Sequence, residues 1–519
     1  MTSQLPRYHA ARWNEPIITT LGQPGRRGMV FESTDNADAL VPAGLRRRQP
    51  PQLPELSEPE VFRHFLHLAQ MTLGMQGISL FGTCTMKYNA PVSEALSWRP
   101  EMAETHPLQD SETLQGTLEI IHRFDLMLRE LSGMDQFIFQ PGGGADAAYT
   151  NCAVTRAWLA SRGELGKRDE IITSIQSHPC NPATAATAGF KVITLTLEEG
   201  GYPSVEQLNS VVSDRTAALM IGNPDDMGIY NPHIKDWVKI VHQAGGLCFY
   251  DHANFNGVMG KLRARELGFD ACMYMLHKTF GAPKGGNGPS VGAYGCSAEL
   301  APFLPGPVVA LEGSTYRLVD TPAEASTKIR EYLGNAQQVM KAYAWTSTMG
   351  AEGINEASDL SVLANNYMDA RLSQLRGLRR SHPDISTPRM EMTRWSMEPL
   401  RVETGVSVLD VQRRVTDFGI DAFWLSHEPW LVPEPFTPEA GEMWSKEEID
   451  RWIDVLAAVI DEAYEEPEKV KSAPHNQAIH KLNGAHLNDP QHFATTARAL
   501  WKKQKSHATT RRNTNRSRN

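Results

Sequence analysis

Between Glu170 and Leu276 five short apolar runs, "EIITSI", "FKVITLTL", "TAALMIG", "GLCFYD" and "ACMYML", alternate with stretches of helical pattern. Those stretches are "PATAATAG", "SVEQLNSVV" and "PHIKDWVKIVHQAGG". Strands alternating with helices build βαβ units, and such units make a parallel sheet covered on both faces. In a sheet of that kind ligands collect beyond the carboxyl ends of the strands. The residues of unusual chemistry in this chain fall at those ends.

With 519 residues the chain has room for two or three domains. Residues 1–105 read as a proline- and arginine-rich arm plus a helical segment, whose helix starts after Ser57. Residues 106–320 read as the large α/β domain and residues 321–480 as a smaller α+β C-terminal domain. In the latter, Ser445, Glu447 and Glu448 mark a helix start, and Ile449, Trp452, Ile453 and Leu456 form its buried stripe. Residues 481–519 are expected to be a basic, disordered tail. A net charge of −9 gives no general attraction to nucleic acid or membranes. No apolar run has the length of a membrane span and the N-terminus lacks a secretory core, so a cytoplasmic enzyme is expected. The six cysteines are scattered without CxxC spacing, so neither a metal site nor a disulfide framework is expected.

Four features at strand ends carry chemistry. In "FIFQPGGGADAAYTNCAVTRAW" a strand ends at Gln140, and glycines 142–144 precede a helix over Asp146–Trp158. Glycines let backbone approach an anion, and a helix N-terminus offers unpaired N–H groups: a phosphate cradle. His178 follows a strand in "QSHPCNPATAATAG", where a flat imidazole can stack on an aromatic ligand or simply satisfy a loop. Asp251 closes a strand in "FYDHANFNG", where a carboxylate is costly to bury unless it is paired. It can hold a protonated ring nitrogen or cap the next turn. Lys278, in "MLHKTFGAPKGG", follows the last apolar run. A desolvated amine there has a lowered pKa and can form a Schiff base; otherwise it pairs with a carboxylate. Taken together, a phosphate cradle, a stacking ring, an aspartate and a later lysine are what pyridoxal 5'-phosphate requires.

Ordered stretches over about residues 20–480 resemble one family. They include "LFGTCTMKYN" (80–89), "QPGGGADAA" (140–148), "SHPCNPATAATAGF" (177–190), "GNPDDMGIY" (222–230), "YDHANFNGVMG" (250–260) and "LHKTFGAPKGGNGP" (276–289). They resemble the pyridoxal-phosphate subunit (subunit 2) of glycine decarboxylase, the P-protein of the glycine cleavage system. The resemblance implies a fold-type I enzyme with a large mostly parallel sheet domain and a smaller α+β domain. It implies that Lys278 holds the cofactor aldehyde, Asp251 the ring nitrogen and His178 the ring face, with Ala253 and Asn223 close by. Gly143, Gly144 and Ala145 would supply phosphate N–H groups, and His277 and Thr279 would reach phosphate oxygens. Thr83, Cys84, Lys87 and Asn89 would face the substrate, with His252 beside the ring aspartate. The implied partners are a lysine-less homologous subunit in a heterotetramer, or a second copy in a homodimer, and the lipoyl carrier H-protein.

The chain departs from the family pattern at His252, at Lys284, Asn287 and Ser290, and over residues 423–435. Three readings follow. One is glycine decarboxylation with aminomethyl transfer to the lipoyl carrier. The second is a divergent paralogue doing decarboxylation, transamination or a related α-carbon reaction on another amino acid. The third is a non-catalytic partner subunit, which would have no need of Lys278.

Overall fold

The computed structural model describes residues 5, 7–30, 40–49, 51, 53–73, 78–80, 87–198, 200–283, 290–421, 425–481, 496 and 498–502. The chain divides into two compact units, Met1–Tyr8 with Leu73–Lys471, and His9–Thr72 with Ser472–Asn519.

The first unit is built on a seven-stranded sheet. Its strands are β1 (Gln136–Ile138), β2 (Glu170–Ser174), β3 (Lys191–Leu195), β4 (Thr216–Gly222), β5 (Leu247–His252), β6 (Ala271–Met275) and β7 (Gly292–Cys296). They lie in the order β1-β7-β6-β5-β4-β2-β3. Pairings from β3 through β6 are parallel, as the βαβ alternation dictates. The expected parallel sheet is mixed at one side, where β7 pairs antiparallel with both β6 and β1. A parallel neighbour needs a crossover connection, whereas an antiparallel one can return directly.

Both faces carry an apolar core, as a sheet buried on both sides requires. Helices Gln115–Ser132 and Ile234–Gln243 cover one face, packing Phe124 and Trp237 over Tyr250 and Tyr274. Helices Gly144–Ser161 and Cys180–Thr187 cover the other, packing Trp158 and Cys180 over Phe249, Met273 and Tyr294. Successive strand residues point to opposite faces, so Phe249 and Asp251 share one side of β5 while Tyr250 and His252 share the other. The cysteines described (Cys152, Cys180, Cys248, Cys272 and Cys296) are buried and unbridged, acting as small core residues.

A third core forms around Trp395, Phe436 and the helix Lys446–Glu465. Ser445 caps that helix by accepting from the Glu448 amide, and Ile449, Trp452, Ile453 and Leu456 are its buried stripe. A three-stranded sheet of two-residue strands completes this part. The long helix Ala336–Leu372 serves two cores, with Val339 and Ala342 in one and Met368 and Leu372 in another.

The second unit contains the helix Glu58–Gln70, which Ser57 and Glu60 open with a capping box. Glu15 accepts from His64 Nδ1 at 2.6 Å and His67 Nδ1 at 2.7 Å on one face of this helix. Residues 498–502 are helical, and most of the basic tail expected over 481–519 lies outside the described residues.

Candidate active site

Strand ends and helix starts converge on a cavity of about 440 Å³. Its lining includes Gly142, Gly143, Gly144, Ala145, Asp146, His178, Ala253, His277, Lys278, Ser290 and Arg330. A narrower recess continues from it past His178, Ala253 and Lys278 to Asp251, Asp225, Asp226 and Glu391. The three features read as cradle, ring and amine therefore share one space, and the aspartate lies in its extension.

Lys278 follows β6 in a turn in which its amide donates to Met275 O at 3.0 Å, and the residue is buried. Asp251 comes from β5, next in the sheet, and is buried too. Its Oδ2 accepts from Asn181 Nδ2 at 2.9 Å and its Oδ1 from the Ala253 amide at 3.0 Å. Burial pushes the Asp251 carboxyl above its usual range, and those two donors and the Lys278 charge oppose the rise.

His178 lies after β2, at the start of helix Cys180–Thr187. The Cys180 amide donates to its Nδ1 at 3.0 Å, which assigns the ring proton to Nε2 in the neutral form. Burial lowers its pKa to about 4, against the pull of Asp226, so the ring is neutral at physiological pH. His427 meets it edge-on, with ring centroids 4.2 Å apart. His427 Nδ1 hydrogen-bonds Asp226 Oδ2 at 2.8 Å, and buried Arg394 donates to the Asp226 carbonyl at 2.9 Å. Burial raises the Asp226 carboxyl, but the His427 hydrogen bond and the charges of His427 and Arg394 prevail and hold it at about 2. Next to it, burial lifts Asp225 to about 7. Burial and the charge of Glu439 lift Glu391 to about 8.

At the other end, the 18-residue helix Gly144–Ser161 points its N-terminus into the cavity. A Cβ on Gly143 would meet Ser290 Oγ at 3.7 Å, and one on Gly144 would meet Met275 Sδ at 3.5 Å, both cavity-lining residues. Both are ordinary van der Waals distances, so a Cβ could be accommodated at either position.

Other expected residues fall differently. Thr279 is buried, and its hydroxyl accepts from the Phe255 amide at 3.0 Å. Asn223 directs its amide to the Asn231 backbone, at 3.1 and 2.8 Å, instead of the cavity. His252 is not beside the ring aspartate's carboxylate. It lies on the opposite face of β5 with Tyr250, Phe255 and Tyr274, because adjacent strand residues diverge. Lys87 does not reach into the cavity: it pairs with Glu442 Oε1 at 2.5 Å and sits 4.3 Å over the Trp345 ring. Asn89 donates to Gly281 O at 2.6 Å, bracing the turn after Lys278. Thr83, Cys84, Lys284 and Asn287 lie outside the described residues.

Residues that sequence reasoning missed are Asn181, Asp226, Arg330, Glu391 and His427. Asn181 and Asp226 stand in the stretches "SHPCNPATAATAGF" and "GNPDDMGIY", where a polar residue at a helix start and one in the loop after a strand are the available signals. Arg330, Glu391 and His427 arrive from distant segments.

The chain matches the family model "Aminotransferase class-V" over residues 134–415. It is 40% identical over 480 residues to a protein of Pyrococcus abyssi (strain GE5 / Orsay) named "Probable glycine dehydrogenase (decarboxylating) subunit 2". That match covers 92% of this chain and 95% of the relative. A protein of Staphylococcus aureus (strain bovine RF122 / ET3-1) with the same name is 37% identical, over 91% of this chain and 96% of its own. Among solved structures, a glycine decarboxylase (P-protein) of the glycine cleavage system in inhibitor-bound form superposes with a TM-score of 0.68. It shares 21% identity and covers 82% of this chain and 95% of its own, a likeness of fold.

Proposed function

From the premise that the chain belongs to the aminotransferase class-V family and, within it, to the glycine dehydrogenase (decarboxylating) subunit 2 proteins, we propose that it decarboxylates glycine with pyridoxal 5'-phosphate and passes the aminomethyl group to a lipoyl carrier protein. The observation that carries this reading is that buried Lys278, just after β6, lines a cavity that ends at a glycine-started helix, while buried Asp251 of the adjacent β5 lies in the recess continuing from it.

These residues fit the cofactor. The N-terminal amides of helix Gly144–Ser161 bind its phosphate, since first-turn N–H groups have no intrahelical acceptor. Lys278 Nζ supplies the amine that holds its aldehyde. Asp251 holds a proton on its ring nitrogen, and the donors from Asn181 and Ala253 keep the carboxylate aimed. Neutral His178 offers a flat face without adding positive charge. Held there, the cofactor would supply an electron sink for the substrate α-carbon, the chemistry that loss of carbon dioxide requires.

The designation of the relatives as subunit 2 implies a partner subunit. We infer a homologue lacking the lysine, in a heterotetramer, with the lipoyl carrier H-protein as a transient partner. Among the described residues no helix is long and apolar enough to cross a membrane. A second reading, another amino acid as substrate, is favoured by one observation. His427, from the segment that departs from the family pattern, packs on His178.

The test uses the purified chain with its partner subunit and carrier. The bound cofactor absorbs at the edge of the visible range, and Lys278→Ala removes that band. Glycine-dependent exchange of labelled bicarbonate that requires the carrier supports the glycine reading; exchange with another amino acid and not with glycine overturns it.

A further inference from the structure

The first turn of helix Gly144–Ser161 carries an acid, Asp146, in the mouth proposed to bind the cofactor phosphate. A carboxylate there repels a dianion, and the repulsion is stronger in a partly desolvated site than in water. Asp146 Oδ2 also accepts from the Gly142 amide at 3.0 Å, so the carboxylate is held in the glycine loop and does not swing away to solvent. The same oxygen accepts from Arg330 Nε at 2.7 Å. The guanidinium lies across the loop so closely that a Cβ on Gly142 would come within 2.3 Å of Arg330 Cζ. Gly142 is therefore a glycine that makes room for an arginine. Arg330 lines the cavity on one side and an outer cavity of about 420 Å³ on the other. With its side chain 57% exposed, the pair with Asp146 adds little to folding stability.

We propose that Arg330 is a positioning residue for the cofactor phosphate: it neutralises Asp146 at the N-terminus of helix Gly144–Ser161, so that an otherwise acidic helix mouth accepts a dianion. This rests on the proposed cofactor and adds to it a residue, supplied from 184 positions away, that acts through another side chain. Without Arg330 the helix dipole attracts a phosphate while the Asp146 carboxylate repels it. With it, the first-turn amides and the guanidinium act in the same direction.

The experiment measures dissociation constants of pyridoxal 5'-phosphate and of pyridoxal, its phosphate-free form, for the full chain by absorbance titration. Arg330→Gln is expected to weaken pyridoxal 5'-phosphate at least tenfold and leave pyridoxal within about threefold. Asp146→Asn in the Arg330→Gln background is expected to restore pyridoxal 5'-phosphate binding to within about threefold of the unsubstituted chain. Arg330→Lys, which keeps the charge at this half-exposed site, is expected to retain most of the affinity. Equal loss of both ligands in Arg330→Gln, no loss of either, or a double variant as weak as Arg330→Gln would each overturn the proposal. The cofactor reading fails separately, if the unsubstituted chain binds neither ligand at Lys278.

Discussion

Asn181 donates its side-chain amide to Asp251 Oδ2 at 2.9 Å, and both residues are buried. The Ala253 amide satisfies the other oxygen, so the carboxylate that would face a ring nitrogen is fixed from two sides. Burial alone pushes Asp251 toward its neutral form, and Asn181 is one of the groups that resist this. A hydrogen bond to a charged group contributes about 1.5–3 kcal/mol. Asn181→Leu is therefore expected to weaken pyridoxal 5'-phosphate binding by about ten- to a hundredfold, since 1.4 kcal/mol is tenfold. A cofactor titration checks this, and unchanged affinity would show that Asp251 needs no second donor.

Lys87 and Glu442 form a second dependent pair. Lys87 is buried, and burial lowers its pKa while the charge of Glu442 raises it, with a net lowering. Removing one partner of a buried pair leaves the other uncompensated, which costs about 3–5 kcal/mol. Lys87→Met is expected to lose stability on that scale in urea unfolding, and Lys87→Met with Glu442→Gln to regain much of it. Because Lys87 packs on Trp345, whose ring borders Gly281 after Lys278, cofactor binding is expected to weaken less than stability. A single variant that keeps its stability but loses all turnover would return Lys87 to the substrate side.

Much of this arrangement was legible in the sequence because it follows from strand ends. Lys278, Asp251, His178 and the glycine loop each lie within three residues of a strand or a helix start, so the alternation of apolar runs was enough to bring them together. Arg330, Glu391 and His427 were not legible, since through-space packing between segments 100 or more residues apart joins them to His178, Asp146 and Asp226. His252 was misread from adjacency. The two-residue period of a strand, visible in "LCFYDH", already put it on the face away from Asp251. Lys87 was misread for a different reason: its partner Glu442 comes from the C-terminal part, and no local pattern marks a buried pair.

His252 gives the protein a defined acid sensitivity. It is buried among Tyr250, Phe255 and Tyr274, and burial depresses its pKa to about 3. In the unfolded chain an imidazole titrates near about 6.5. Below that pH the unfolded chain takes up a proton that the folded chain refuses. Stability is thus fully present above about pH 6.5 and falls as the pH drops toward about 3, by up to about 1.4 kcal/mol per unit. His252→Phe removes this term. Whatever its offset at pH 7, the variant is expected to gain about 3 kcal/mol on the unsubstituted chain between pH 7 and pH 4, measured by urea unfolding at each pH. Parallel pH profiles for the two proteins would show that His252 is not held neutral.

Gly228 and Gly163 separate backbone strain from close packing. Both adopt left-handed backbone, with φ of +75° and +66°, where a Cβ costs about 1–2 kcal/mol. A Cβ on Gly163 meets nothing within 4 Å, whereas one on Gly228 would lie 1.9 Å from the Met392 carbonyl oxygen. Gly228 also ties two segments together, since its amide donates to Asp225 O and its carbonyl accepts from the Met390 amide, each at 3.0 Å. Those segments supply Asp225, Asp226, Glu391 and Met392 to the recess beside Lys278. Gly163→Ala is expected to lose only the strain, about 1–2 kcal/mol. Gly228→Ala adds an overpacking term of about 1–3 kcal/mol and forces the two segments apart. It is therefore expected to unfold at lower urea than Gly163→Ala and to bind pyridoxal 5'-phosphate more weakly, while Gly163→Ala keeps the affinity of the unsubstituted chain. Equal midpoints for the two variants would mean that the 390–394 segment yields freely, and the recess would then not be a fixed part of the site.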